Sequence, residues 1–267
     1  MTDALYSPGT GQVPSLPPIF TPLLAIPPAS PLEAALDVVA RDGDPTGTVV
    51  MADRADVADA VFILGPDRPL LDALKVFHVM MVAVNDALGA IIPPQIAVTF
   101  GWPDRIMING ALAGGLRMTL PDGIGPDAAK SNPVPDWMFL RVTLDVLGEP
   151  TNDIPGRPVE RTSLMHEGCV DVAPTLIVES IARHFLSWIS KWETEGFAPV
   201  IAAWDGRADG YQEKVTFKLP GGVIKGRLLG LDEDGGLMVS RDGRKRHAPL
   251  RWLLQGPSWI DTGWTGK

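Results

Sequence analysis

The side chains that could do chemistry are concentrated in one place. Residues 100–118, FGWPDRIMINGALAGGLRM, bring Trp102, Asp104, Arg117, an Asn-Gly pair (Asn109, Gly110) and a glycine pair (Gly114, Gly115) into one short run. That mix of aromatic ring, acid, cation and glycine has the look of a ligand site, whereas Asn-Gly alone requires only a tight hairpin. Elsewhere, Cys169 is the single cysteine. It is a nucleophile only if the fold sets a base beside it, and otherwise a small buried residue. One cysteine excludes an intrachain disulfide and a CxxC metal site. His78, His166, His184 and His247 are scattered without HxH or HxxxH spacing, so no metal site is expected.

Composition narrows the setting. A net charge of −9 argues against a basic, nucleic-acid-coating surface, because phosphate binding needs clustered Lys and Arg. The one basic run, RDGRKRHAP at residues 241–249, is short and reads as a solvated hairpin tip. The N-terminus lacks a signal peptide's charged and apolar regions, and prolines interrupt PPIFTPLLAIPP. The most apolar stretch, residues 76–92, contains His78, Asn85 and Asp86 and ends at Pro-Pro, which makes a poor membrane span. A soluble, cytoplasmic protein with neither nucleic acid nor membrane as partner is expected. Nothing in the pattern fixes the oligomeric state.

The positioning elements follow from periodicity. Residues 1–30 are proline-rich and read as an extended arm without packed structure. Leu32, Leu36 and Val39 predict a helix, and GTVVMAD and DAVFILGP predict two strands. Leu70, Leu74, Phe77, Met81, Val84 and Leu88 recur at three- and four-residue steps and predict the clearest helix, closed by Gly89 and Pro93. QIAVTFGW, RIMING and ALAGGLRM predict three more strands, and WMFLRVTLDVL a fourth after a Gly/Pro-rich loop. A second proline-rich loop, residues 150–174, leads to a long helix with its stripe at Ile177, Ile181, Phe185, Trp188 and Trp192. The last part, from KVTFKL to HAPL, consists of short strands and glycine turns and predicts a small β-barrel attached to an α/β body.

Taken in order, these motifs resemble the biotin protein ligase and lipoate ligase family from about residue 30 to residue 249. The family carries a KWPND…NGKKLAGIL segment where this chain has GWPDRIMINGALAGGL. AVNDALGAIIPPQIAVTF, WETEGFAPVIAAW and VIKGRLLGLDEDGGLMV are similar to the stretches around it and to the SH3-like strands that end biotin ligases. The resemblance implies an α/β (α+β) fold: a mixed-sheet ligase-like domain at residues 31–206, a small SH3-like β-barrel at 207–254 and a tail at 255–267. It also implies an acyl ligand (biotin, lipoate or octanoate), activation by ATP with magnesium, and a biotinyl or lipoyl carrier domain as protein partner. Trp102 and Gly114–Gly115 match the family's aromatic wall and its positions of close backbone approach, and Asp104 falls near its acidic residue.

Three departures stand beside that resemblance. The family lysine before LAG is Ala111, and the turn is one residue shorter. The Gly/Arg-rich loop of biotin ligases and the RRxSGGG of lipoate ligases are absent, leaving Asp53, Arg54 and Asp56 as remnants. The cation before Trp-Pro is Gly101, so replacements would have to come from Arg105, Arg117 or Lys75 in space. The resemblance implies a diverged protein ligase whose ligand site includes Asp53, Arg54, Trp102, Asp104, Asn109, Gly110, Ala111, Gly114, Gly115 and Arg117. The departures leave two alternatives open: a non-catalytic acyl-ligand or carrier-binding protein, and an ATP-independent acyltransferase using Cys169.

Overall fold

The computed structural model describes residues 9–41, 43–148, 159–219 and 222–256. Seven strands form one mixed sheet: β1 (Thr21–Ala25), β2 (Thr48–Ala52), β3 (Val57–Leu64), β4 (Val98–Gly101), β5 (Arg105–Ile108), β6 (Ala111–Thr119) and β7 (Met138–Asp145). Their order across the sheet is β1-β2-β3-β7-β6-β5-β4. Among these seven strands only the β1–β2 pairing is parallel. The arm expected to be unpacked therefore supplies an edge strand: Thr21–Ala25 pairs residue for residue with Thr48–Ala52. An edge position tolerates Pro22, whose missing N–H has no ladder partner to lose on the open side. Residues 1–8 and most of the expected tail lie outside the described residues.

Alternation in the strands gives the sheet two unlike faces. Ala58, Ala60 and Phe62 of β3 and Leu140, Val142 and Leu144 of β7 point into the main core. That core is covered by α3 (Val76–Gly89), α4 (Pro174–Glu195) and α5 (Ala198–Asp205). Val61, Ile63 and Phe139 point the other way, against α1 (Pro31–Arg41). A period of two allows this division, because consecutive side chains leave opposite faces.

The expected single helix from Leu70 to Leu88 is two pieces, α2 (Leu70–Ala73) and α3. Between them the bonds tighten to the three-residue spacing of a 3-10 turn, with Lys75, Phe77 and His78 donating to Asp72, Leu74 and Lys75. Burial on α3 also extends beyond the predicted apolar stripe. The helix lies between sheet, α4 and α5, so His78 and Asn85 are buried along with the apolar residues. Helix α5 follows α4 closely and lies in a stretch that periodicity left unassigned.

A second, four-stranded antiparallel sheet, ordered β11-β10-β9-β8, forms the C-terminal β unit. It comprises β8 (Lys214–Leu219), β9 (Gly222–Leu231), β10 (Leu237–Arg241) and β11 (Arg244–Ala248). The basic run is its β10–β11 hairpin, turned at Asp242 and Gly243, with Arg244, Lys245 and Arg246 exposed as expected of a solvated tip. Polar contacts fasten this unit to the larger one. The Asp205 carboxylate accepts from Leu231 N–H at 3.0 Å, and Lys75 bridges Asp72 at 3.2 Å and Asp234 at 3.5 Å. His78 donates its Nε2–H to the Gly235 carbonyl at 2.9 Å.

Burial lowers His78 to about 4 from its ordinary 6.5, outweighing the Gly235 bond and the charge of Asp232. The folded state thus holds His78 neutral, and its contribution to stability is complete above pH 6.5. It is lost as pH falls from 6.5 towards 4, where only the unfolded chain binds the proton. Urea unfolding should therefore give a stability at pH 5 about 2 kcal/mol below that at pH 7 from this group alone. His78→Phe should remove that component of the pH dependence.

Candidate functional site

The sheet face that α1 leaves uncovered is charged. Cross-strand pairs identify its members. Thr143 opposes Asp59 and Gly115, Arg141 opposes Val61 and Arg117, and Gly115 opposes Arg105, so these residues share one face with α1. Arg141 grips Asp59 through two hydrogen bonds, from Nε at 2.7 Å and from Nη2 at 2.6 Å, and Thr143 Oγ1 adds a weaker contact at 3.5 Å. Burial acts to lower Arg141, but the hydrogen bonds and charge of Asp59 raise it overall. In the turn between β2 and β3, Arg54 reaches Asp56 from Nε at 2.9 Å and from Nη2 at 2.5 Å.

A cavity of about 350 Å3 opens over this face. Its walls are the Pro27–Pro31 loop ahead of α1 and the Asp53–Arg54 turn, and the Asp59–Arg141 pair forms its floor. The N-terminal segment closes one rim. Gly9 N–H donates to the Asp53 carbonyl at 3.1 Å and Gly11 N–H to Asp53 Oδ1 at 3.0 Å. A Cβ on Gly9 would collide with the Asp53 side chain, so glycine is required there. Nothing in the sequence pattern signals that contact.

Arg117 stands apart from the paired cations. Burial, and then the adjacent Arg141 guanidinium, push it below the ordinary arginine value, and no carboxylate pulls it back. A half-buried cation held beside another cation is what an incoming anion would relieve. Past Arg141 and Thr143 on the same strand, burial raises Asp145, and the charge of Asp56 adds to the rise, against the Gly148 N–H that it accepts at 2.7 Å. Arg161 faces it, lowered by burial to about 10 against the pull of Asp145.

The residues read from the sequence divide between this face and other places. Asp53 and Arg54 line the cavity, and Gly115 and Arg117 lie on its face. Trp102 is buried in the helix-side core and so forms no aromatic wall to the cavity, with its Nε1 meeting no partner. Asp104 is also buried, and its carbonyl accepts from Leu116 N–H at 2.8 Å. Asn109 and Gly110, both at positive φ, form the exposed β5–β6 turn, where the Asn109 side chain bonds Ala97 N–H and Glu167. Packing alone requires Gly114, because a Cβ there would stand 2.0 Å from the Thr143 carbonyl oxygen.

Ala111 opposes Ile108 of the helix-side core, while Leu112 opposes Met107 on the charged face. The position of the family lysine is thus turned away in this register. Of the proposed replacements, Arg105 is on the charged face, whereas Lys75 is tied to Asp72 and Asp234 under the C-terminal sheet. Arg141 and Arg161, which sequence reasoning passed over, are on the charged face. Arg141 had a readable signal, a cation at an alternating position in an otherwise apolar strand. Cys169 is buried, and burial with the Glu167 carboxylate pushes its thiol up, opposite to what a thiolate nucleophile needs.

A mixed sheet with three helices on one face, one helix with charges and a cavity on the other, and a small antiparallel sheet appended is the architecture of an acyl-group ligase domain. Residues 16–206 match the Biotin/lipoate A/B protein ligase family, and the chain belongs to that family. A biotin--[acetyl-CoA-carboxylase] ligase of Paracoccus denitrificans is 24% identical over 73% of this chain and 78% of its own length. A biotin protein ligase-like protein of unknown function from Silicibacter sp. TM1040 superposes with a TM-score of 0.76. It is 33% identical, covering 90% of this chain and 98% of that one. The biotin protein ligase of Aquifex aeolicus, solved with biotin and ATP, shares the fold at a TM-score of 0.63 and 16% identity. That match covers 80% of this chain and 90% of that one.

Two sets of substitutions separate structural from ligand-directed roles. Gly114→Ala should cost about 3 kcal/mol in urea unfolding, because β6 must move off β7 to admit the methyl group. Arg141→Met should cost roughly 3–5 kcal/mol by stranding buried Asp59. Arg117→Met should melt no lower than the wild type, since it removes a repulsion.

Proposed function

We propose that this chain is a biotin/lipoate-type protein ligase that holds a small carboxylic acid on the charged face and joins it to a lysine of a carrier protein. The observation that supports this reading most directly is the half-buried Arg117, which stands beside Arg141 with no carboxylate pulling on it. In this reaction a carboxylate oxygen of the acid attacks the α-phosphorus of ATP, and pyrophosphate leaves. The carrier amine then attacks the acyl carbonyl, AMP leaves, and the amine gives up a proton. Both steps load negative charge onto phosphate oxygens, which cations in a half-buried site stabilise more than water does.

The residues present suit such a substrate. The cavity of about 350 Å3 matches the acyl part in size, and Arg117 with Arg105 offers charge to phosphate. Among the described residues no group of three His, Cys, Asp or Glu gathers to hold a metal. Magnesium carried by phosphates needs only one or two carboxylates, and the mutually repelling Asp56 and Asp145 supply two. No helix among the described residues is long and apolar enough to cross a membrane. The single cysteine suits a reducing compartment, and we assign the reaction to the cytoplasm.

A second reading, a non-catalytic protein that binds an acyl ligand or a carrier domain, is favoured by the Arg54–Asp56 and Arg141–Asp59 pairs. Cations already matched by carboxylates stabilise a phosphate less. Pyrophosphate exchange into ATP, measured with biotin, lipoate and octanoate in turn, separates the two. Exchange with at least one acid is expected. Acid binding without exchange would select the second reading.

A further inference from the structure

Beyond the end of β7 the sheet is continued by a segment that periodicity gave no reason to notice. Residues 160–162 run parallel to the start of β6. Leu112 N–H donates to the Glu160 carbonyl at 3.0 Å, and Thr162 N–H donates to the Leu112 carbonyl at 3.0 Å. These two bonds bracket Arg161 and fix it opposite Leu112. Leu112 faces the charged side of the sheet with Met107, so its ladder partner Arg161 leaves from that side too. The same segment is held to β7 by Leu164 N–H, which donates to the Asp145 carbonyl at 3.0 Å. The backbone around Arg161 is therefore pinned on two flanks.

We propose that Arg161 receives the carboxylate of the acid ligand, one residue along from Ala111 and from a neighbouring strand, so that the charge lost from β6 is supplied laterally. This rests on the reading of the chain as an acid-binding ligase. Two observations support it. First, Arg161 faces Asp145, and Asp145 lies within the fields of Asp56 and Arg54, the latter a wall of the cavity. Arg54 and Arg161 thus both act on Asp145, at the same end of the charged face. Second, the Nη2 of Arg161 is buried and makes no hydrogen bond, so it has an N–H to offer a carboxylate. A ligand carboxylate accepts from that N–H while Asp145 keeps its place beside Arg161. An acid then lies with its acyl part in the proline- and alanine-walled cavity and its charged end towards Arg161.

The experiment compares each acid with its own primary amide, by calorimetric titration of the full chain with biotin and biotinamide, lipoate and lipoamide, and octanoate and octanamide. The amide keeps shape and loses charge, so the ratio of the two affinities reads the carboxylate contact alone. The wild type is expected to prefer its acid by about tenfold or more. Arg161→Met should bring that ratio close to one while binding the amide as the wild type does, and Arg161→Lys should keep part of the preference. Retention of the full preference by Arg161→Met overturns the proposal, as does equal loss of acid and amide binding in both variants, which marks a structural role. A wild type that exchanges pyrophosphate yet binds acid and amide equally overturns this assignment alone. A wild type that binds none of the acids overturns the proposed function with it.

Discussion

The dry face of the seven-stranded sheet is the constraint on which the rest of the molecule depends. α3 lies against that face and is enclosed by α4 and α5, so nearly every side chain on it is buried. An unpaired charge placed there would cost several kcal/mol, which confines the charged residues of the strands to the opposite face. α1 covers only part of that second face, around Val61, Ile63 and Phe139. The uncovered remainder is where a chain of this topology can hold charge and a ligand together. The position of the proposed site is thus a consequence of where the helices are not.

Within the charged face most cations are matched by acids, which allows so many to be half-buried. Asp59 and Arg141 satisfy each other with two short hydrogen bonds, and Arg54 and Asp56 do the same at the turn. A buried pair of this kind adds little net stability but is costly to break, so it fixes geometry more than it strengthens the fold. Against that matched background Arg117, which lies beside Arg141 and is drawn by no carboxylate, stands out as the place where an anion gains most.

The C-terminal sheet is coupled to the same frame from behind. His78 and Lys75, on consecutive turns at the start of α3, reach Gly235 and Asp234 of one tight turn. His78 also packs edge-on to Trp204, with ring centroids 5.8 Å apart, and Phe100 stacks on Trp204 at 6.1 Å. One buried aromatic cluster therefore links the β4 strand, α3, α5 and the small sheet. The two units share a core, and they are more than neighbours on a linker.

Much of the fold was legible in residue patterns. Alternation located the strands, the Asn109–Gly110 pair forced the β5–β6 turn through its positive φ values, and the order of motifs identified the family. Local sequence carries such features because turn chemistry and strand period are properties of adjacent residues. The face each residue serves was not legible, since a one-residue irregularity in β6 reverses it. The bulge between Ile106 and Met107 turns Ala111 to the core side and Leu112 to the charged side. Trp102, prominent in the motif, went into the core, while Arg141 and Arg161, both outside any motif, arrived on the charged face. Sequence by itself determined most of the elements and the family they belong to. Tertiary structure alone decided which cations meet, because their meeting depends on strand order and register across the sheet, and neither is written in the spacing of any one segment.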